Sequence, residues 1–83
     1  MTTQSYERVR IIASDVFGVS PEEISDESSP ESIERWDSTQ HLTFVLALEE
    51  AFQLQLTPEE TESIRNIGEA AKLVQKKLQV ARG

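Results

Sequence analysis

The feature that most constrains the fold is an apolar segment that follows the polar pair Asp37-Ser38 and runs from Leu42 to Phe52. At about 100° per residue, its apolar positions cover most of the circumference of a helix. A helix that is apolar nearly all round is typical of the buried centre of a domain. The exception is a polar stripe that we expect to face solvent, formed by Gln40, Thr43, Ala47 and Glu50.

Three further segments carry the signals of helices. Apolar residues with the spacing of one helix face predict a first helix that ends at Gly18, and these are Val9, Ile12, Ala13 and Val16. The capping-box sequence at residues 57–60 opens a short third helix that ends near Ile64. Asn66 caps a fourth helix, whose predicted inner face comprises Ile67, Ala71, Val74 and Leu78. The pattern predicts an all-α fold, a small four-helix bundle with three longer helices and a short third.

The connections between these helices differ in length. A loop rich in Ser, Pro, Glu and Asp runs from about residue 19 to Trp36, and residues 20–23 predict one helical turn within it that ends near Ile24. Residues 53–56 alternate polar and apolar side chains but are too few to form a sheet. With 83 residues, we expect a single domain over residues 1–83.

Composition excludes several classes of function. The chain has no cysteine and one histidine, and its acidic loop lacks the spacing of a calcium loop, so we expect no disulfide and no metal site. Residues 1–5 do not resemble a signal peptide and no apolar run could span a bilayer, so a cytoplasmic protein without membrane contact is the default expectation.

The net charge of −7 is concentrated in the middle of the chain, since residues 22–62 hold twelve acids and one base. Such a field repels nucleic acid and attracts basic protein surfaces. A simple solubilising role for these charges is the alternative.

Ser38 is the candidate functional residue, because a hydroxyl at a helix N-terminus can hold an anionic group. Ser38 or Asp37 could equally be a plain N-cap. A catalytic dyad of Ser38 with His41 lacks an orienting carboxylate and an oxyanion hole, so we expect His41 to be solvated and the protein to have no catalytic residues. For Trp36 we expect a packing role, with a lid beside Ser38 as the alternative.

The chain resembles the acyl carrier protein family over nearly its whole length. The resemblance rests on residues 37–39 (Asp-Ser-Thr), the apolar run that ends in Leu48-Glu49-Glu50-Ala51-Phe52, the acidic segment at residues 58–62 and the segment at residues 64–71. It implies that Ser38, beside Asp37, bears 4′-phosphopantetheine through a phosphodiester, and that the thiol of this arm carries acyl groups as thioesters. The protein would then be a carrier and not an enzyme.

The resemblance also implies partners, namely a phosphopantetheinyl transferase and acyl-transferring and synthase enzymes with basic docking surfaces, with the carrier itself a monomer. The partner-recognition residues would be Thr39, Gln40, Thr43, Glu49 and Glu50. Leu42 and Leu46 would line the entrance to an interior acyl pocket, in which each buried methylene gains about 0.8 kcal/mol.

Two departures from the family pattern bear on the pathway. Thr39 stands where leucine is usual, and Gln40 and Thr43 are neutral where fatty-acid carriers are often acidic. The arrangement Trp36-Asp37-Ser38-x-x-His41 is similar to that of discrete carriers in secondary or surface-polysaccharide pathways. Fatty-acid, polyketide and polysaccharide-type biosynthesis all stay open, as do an aminoacyl or peptidyl carrier and a non-covalent acidic interaction module.

Overall fold

The computed structural model of the protein describes residues 3–82, with side chains from residue 5 to residue 78. The elements within these residues are α1 (Thr3–Phe17), a 3-10 turn (Pro21–Glu23), α2 (Ser38–Phe52), α3 (Pro58–Ser63) and α4 (Ile67–Arg82), with no strand among them. The prediction of an all-α bundle with a long first loop and a short third helix is confirmed. The expectation about the first five residues falls partly on Met1 and Thr2, which lie outside the described residues.

Three helices form the body of the bundle. Helix α1 packs against both α2 and α4, and α2 also contacts α4. Each helix contributes large side chains without solvent exposure, namely Val9, Phe17, Phe44, Leu48, Ile67 and Val74. Burial of an aliphatic or aromatic side chain of this size stabilises a fold by about 1.5–3 kcal/mol. Among the helices of the described chain, none has both the length and the apolar character needed to cross a membrane.

Gly18 ends α1 in the left-handed region, with a φ of 67°. Its amide N–H donates to the carbonyl of Ser14 at 2.9 Å, which closes the last turn. This position favours glycine for its backbone conformation, whereas the atom nearest to an added Cβ is Nη1 of the exposed Arg35 side chain at 3.0 Å, which can move aside.

The long loop is held against the start of α4. The amide of Ile67 donates to the carbonyl of Ser28 at 3.0 Å, and the amide of Gly68 donates to the carbonyl of Asp26 at 2.9 Å. The two backbones approach so closely that a Cβ atom at Gly68 would lie 2.9 Å from Cβ of Asp26. The loop therefore satisfies two amides that the first turn of α4 leaves unpaired. Ile33 of the same loop is buried in the core.

An ion pair joins helix α3 to α4. Glu60 accepts from Lys77 Nζ at 2.8 Å, and the same side chain accepts from the amide of Thr57 at 2.9 Å. These hydrogen bonds, first that from Lys77 and then that from Thr57, hold the pKa of the Glu60 carboxyl below its usual value. The capping box predicted at residues 57–60 is present.

The expectation that α2 is buried nearly all round is wrong. Leu42 is 59% exposed and Leu46 is 62% exposed, whereas Phe44, Val45, Leu48 and Phe52 are buried. Helix α2 packs against α1 and α4 on one side only, so the other side of its apolar surface stays open. The expected solvent stripe is also corrected, since Gln40 and Ala47 are half-buried while Thr43 and Glu50 are exposed.

Candidate functional site

Asp37 and Ser38 form the start of α2. Asp37 is the N-cap, with an extended backbone and a carboxylate Oδ1 that accepts from the amide of Gln40 at 2.9 Å. Its carbonyl accepts from the amide of His41 at 2.8 Å. Ser38 is therefore the first helical residue and not the cap, and its side chain is exposed. The amides of Ser38 and Thr39 precede the first intrahelical bonds, so this end of α2 has a positive partial charge.

His41 is not solvated, contrary to the expectation. Its Nδ1 accepts from the indole Nε1–H of Trp36 at 2.9 Å, and its Nε2 lies 2.9 Å from the carbonyl oxygen of Thr61. Because Nδ1 is an acceptor, Nε2 carries the hydrogen and donates it to Thr61. Both ring nitrogens are thus engaged in joining the loop, α2 and α3. The ring is not available as a base for Ser38, and the geometry gives no support to a catalytic dyad.

Trp36 packs in the core directly before the site. It is 3% exposed, its ring stacks on Phe17 with centroids 4.7 Å apart, and it meets Phe44 edge-on at 5.6 Å. The packing role expected for this tryptophan is what the structure shows. Its edge also reaches the surface cleft beside Ser38.

An open cleft of about 750 Å³ adjoins Ser38. One wall, at the start of α2, comprises the N-cap Asp37 and the helical residues Ser38, His41 and Leu42. Leu46, one turn further along the helix, is not among the residues that line it.

The opposite wall comes from the loop and from α3 with the residues that follow it. The loop contributes Pro30 and Glu31 to this wall. Helix α3 contributes Glu62, and the residues that follow α3 contribute Ile64 and Arg65. Sequence reasoning missed this wall entirely. The available signal was the short capped helix at residues 58–63, which must pack beside a longer helix because its own length cannot stabilise it.

The residues expected to recognise partners divide into two groups. Thr39, Thr43 and Glu50 are exposed along one side of α2, together with Leu42 and Leu46. Gln40 and Glu49 have structural partners instead. Gln40 Nε2 donates to the carbonyl of Val16 at 2.8 Å, and Glu49 Oε2 accepts from the amide of Leu56 at 2.8 Å.

The site combines backbone hydrogen-bond donors with charged side chains. Among the described residues, no group of three or more His, Cys, Asp or Glu side chains could hold a metal ion. The cleft is bordered by the charged side chains of Glu31, Asp37, Glu62 and Arg65. An exposed hydroxyl at a helix N-terminus, next to an open cleft, suits the attachment of an anionic group.

Comparison with known proteins agrees with this geometry. The family profile for the phosphopantetheine attachment site matches residues 7–74. The structure is similar to the solution NMR structure of a holo acyl carrier protein from Geobacter metallireducens, with a TM-score of 0.83 and 27% sequence identity. That match covers 93% of this chain and 88% of the other.

Proposed function

This chain belongs to the acyl carrier protein family, a family of carrier domains with covalently attached 4′-phosphopantetheine, and we propose that Ser38 is the residue that bears this group. The observation that carries the proposal is the position of Ser38. Its hydroxyl is exposed at the first position of a capped helix and borders an open cleft. The group itself supplies a thiol on a long flexible arm, which holds acyl groups as thioesters.

The residues around Ser38 fit the phosphodiester of the arm. The helix N-terminus favours a negative charge at this point. Asp37 is a positioning residue, because its carboxylate is engaged with the amide of Gln40 and holds the first turn in place. The cleft gives the arm a surface on which to lie, with Leu42 on one wall and Ile64 on the other.

Carrier proteins of this family interact with a phosphopantetheinyl transferase and with biosynthetic enzymes. We propose that these enzymes approach along the exposed side of α2, where Leu42 and Leu46 lie beside Thr39 and Thr43. No charged residue occurs on α2 before Glu49, and the exposed charge is that of Glu50. A partner's contact with α2 between Ser38 and Glu49 would therefore be uncharged, with basic groups of the partner facing Glu50. The cargo would be an acyl intermediate of fatty-acid, polyketide or polysaccharide-type biosynthesis.

The test is intact-mass spectrometry after incubation with coenzyme A and a broad-specificity phosphopantetheinyl transferase. We expect a gain of one phosphopantetheine, with release of adenosine 3′,5′-bisphosphate, and no gain in Ser38→Ala. Ser63→Ala removes another exposed helical hydroxyl and serves as the matched control, which should be modified like the wild type. Modification of Ser38→Ala would overturn the assignment.

If the transferase modifies neither the wild type nor the control variant, Thr39→Leu restores the apolar residue that the family usually has after the serine. Modification of that variant would place the failure in recognition by this transferase. Continued failure with a second, cognate transferase would favour the non-covalent interaction module instead.

A further inference from the structure

The space beneath the attachment site is filled by three aromatic rings. Phe17 of α1 lies with its ring centroid 4.7 Å from that of Trp36 and 5.3 Å from that of Phe44, and the last two are 5.6 Å apart. Their exposed fractions are 0%, 3% and 0% respectively. Interiors packed in this way have few voids larger than a water molecule. An acyl chain could enter between α1 and α2 at this level only by displacing a ring.

Trp36 is the ring nearest to Ser38 in the chain, and it is held at both ends. One face stacks on Phe17, and its indole N–H donates to His41, which is in turn bonded to the carbonyl of Thr61. Moving Trp36 aside would break the bond to His41 and leave a buried polar hydrogen without a partner. The entrance to the interior is thus closed by the loop, α2 and α3 together.

The space that adjoins Ser38 lies outside the bundle and is open to water. Its apolar surface comes from Trp36, Ile64 and the exposed Leu42, and charged side chains border it. Glu31, Glu62 and Arg65 are all exposed. A chain lying in this cleft would keep one side in water, so added methylenes would gain little from burial.

We propose that the aromatic cluster of Phe17, Trp36 and Phe44 excludes cargo from the bundle interior, so that this carrier holds its acyl group in the outer cleft and serves short or polar acyl groups. The inference rests on the proposed attachment at Ser38 and specifies the cargo class. It replaces the expectation of an interior pocket that Leu42 and Leu46 would line. Leu46 is 62% exposed and borders no part of the cleft, so it lines neither the bundle interior nor the outer cleft.

The experiment is a chain-length series on the wild-type protein, loaded with acetyl-, hexanoyl- and decanoyl-phosphopantetheine from the corresponding coenzyme A thioesters. Intact mass first confirms loading at Ser38. We expect melting temperatures within about 2 °C across the series and equal rates of thioester cleavage by hydroxylamine. A rise of about 4 °C or more from acetyl to decanoyl, with slower cleavage of the longer chain, would refute the exclusion of cargo from the interior.

A variant with an incomplete aromatic cluster tests whether these rings are what excludes the acyl chain. Trp36→Leu removes part of the cluster, and the space it opens should accept part of a longer chain, so the melting temperature of this variant should rise from acetyl to decanoyl. Ile11→Ala is the control, because this residue is 54% exposed and borders no part of the cleft. Its melting temperature should not change with acyl chain length, as in the wild type. If Trp36→Leu does not fold, the wild-type series alone decides. Absence of loading at Ser38 would instead refute the proposed function, so the two failures are distinct.

Discussion

Substitution of His41 by leucine tests how strongly the Trp36–His41–Thr61 chain of hydrogen bonds holds the site together. The histidine joins the loop, α2 and α3 through bonds of 2.9 Å on each ring nitrogen. The leucine side chain is of similar length but can neither accept nor donate a hydrogen bond. The variant therefore removes two bonds and leaves the indole N–H of Trp36, a residue that is 3% exposed, without an acceptor.

The expected loss in the free energy of unfolding follows from the burial of that N–H group. A buried donor without a partner costs about 1–3 kcal/mol, whereas the carbonyl of the half-buried Thr61 can turn to water at little cost. We expect a loss of about 2 kcal/mol in the free energy of unfolding. For a domain of this size, that loss lowers the melting temperature by about 8–16 °C. Since small domains have about 5–15 kcal/mol of stability, the variant should still fold.

A double-mutant cycle that combines His41→Leu with Trp36→Phe isolates the cost of leaving the indole N–H of Trp36 without an acceptor. Phenylalanine keeps a ring against Phe17 but removes the N–H donor, so the double variant no longer has a donor to leave unpaired. Its loss should be smaller than the sum of the two single losses by about 1–2 kcal/mol.

The assay is urea unfolding followed by far-ultraviolet circular dichroism, because Trp36 is the only tryptophan and fluorescence would be lost with it. Thr43→Ala on the exposed side of α2 is the control and should change stability by less than about 0.5 kcal/mol. Additivity of the two single losses within about 0.5 kcal/mol would refute the reasoning.

Three further predictions concern the ends of the helices, and urea unfolding measures each. Asp37→Ala should lose about 0.5–2 kcal/mol of stability, while Asp37→Asn, which keeps an acceptor for the amide of Gln40, should lose much less; equal losses would count against a capping role. Gly18→Ala should lose about 1–2 kcal/mol because the residue has a φ of 67°, and an unchanged midpoint would contradict this. The lowered pKa of Glu60 contributes stability above the ordinary glutamate pKa, and this is lost as the pH falls through the lowered value. Glu60→Gln should therefore flatten the acid limb of the stability–pH curve, and a curve identical to that of the wild type would exclude this contribution.

The helices and their caps were predictable because their signals are local. The spacing of Val9, Ile12, Ala13 and Val16 predicted α1, and Gly18 predicted its end, since both depend on residues within a few positions. The same holds for the capping box at residues 57–60 and for Asp37 with Ser38 at the start of α2. In each case a backbone amide finds its acceptor about three residues away.

The role of His41 was not predictable in this way. On the sequence it is a polar residue in the first turn of a helix, and solvation was the natural expectation. Its partner Thr61 lies 20 residues further along the chain, and the bond exists only because α3 folds back beside α2. Gln40 is a similar case, since its acceptor at Val16 is 24 residues away.

Local sequence signals predicted the all-α class, the end of α1, the starts of α2, α3 and α4, and the exposed serine at the start of α2. The side of α2 that is covered depends on tertiary packing, because apolar residues surround this helix and their pattern favours no one direction. Packing against α1 and α4 buries Phe44 and Leu48 and leaves Leu42 and Leu46 exposed. It also stacks Phe17 on Trp36, a contact between residues that lie far apart in the chain.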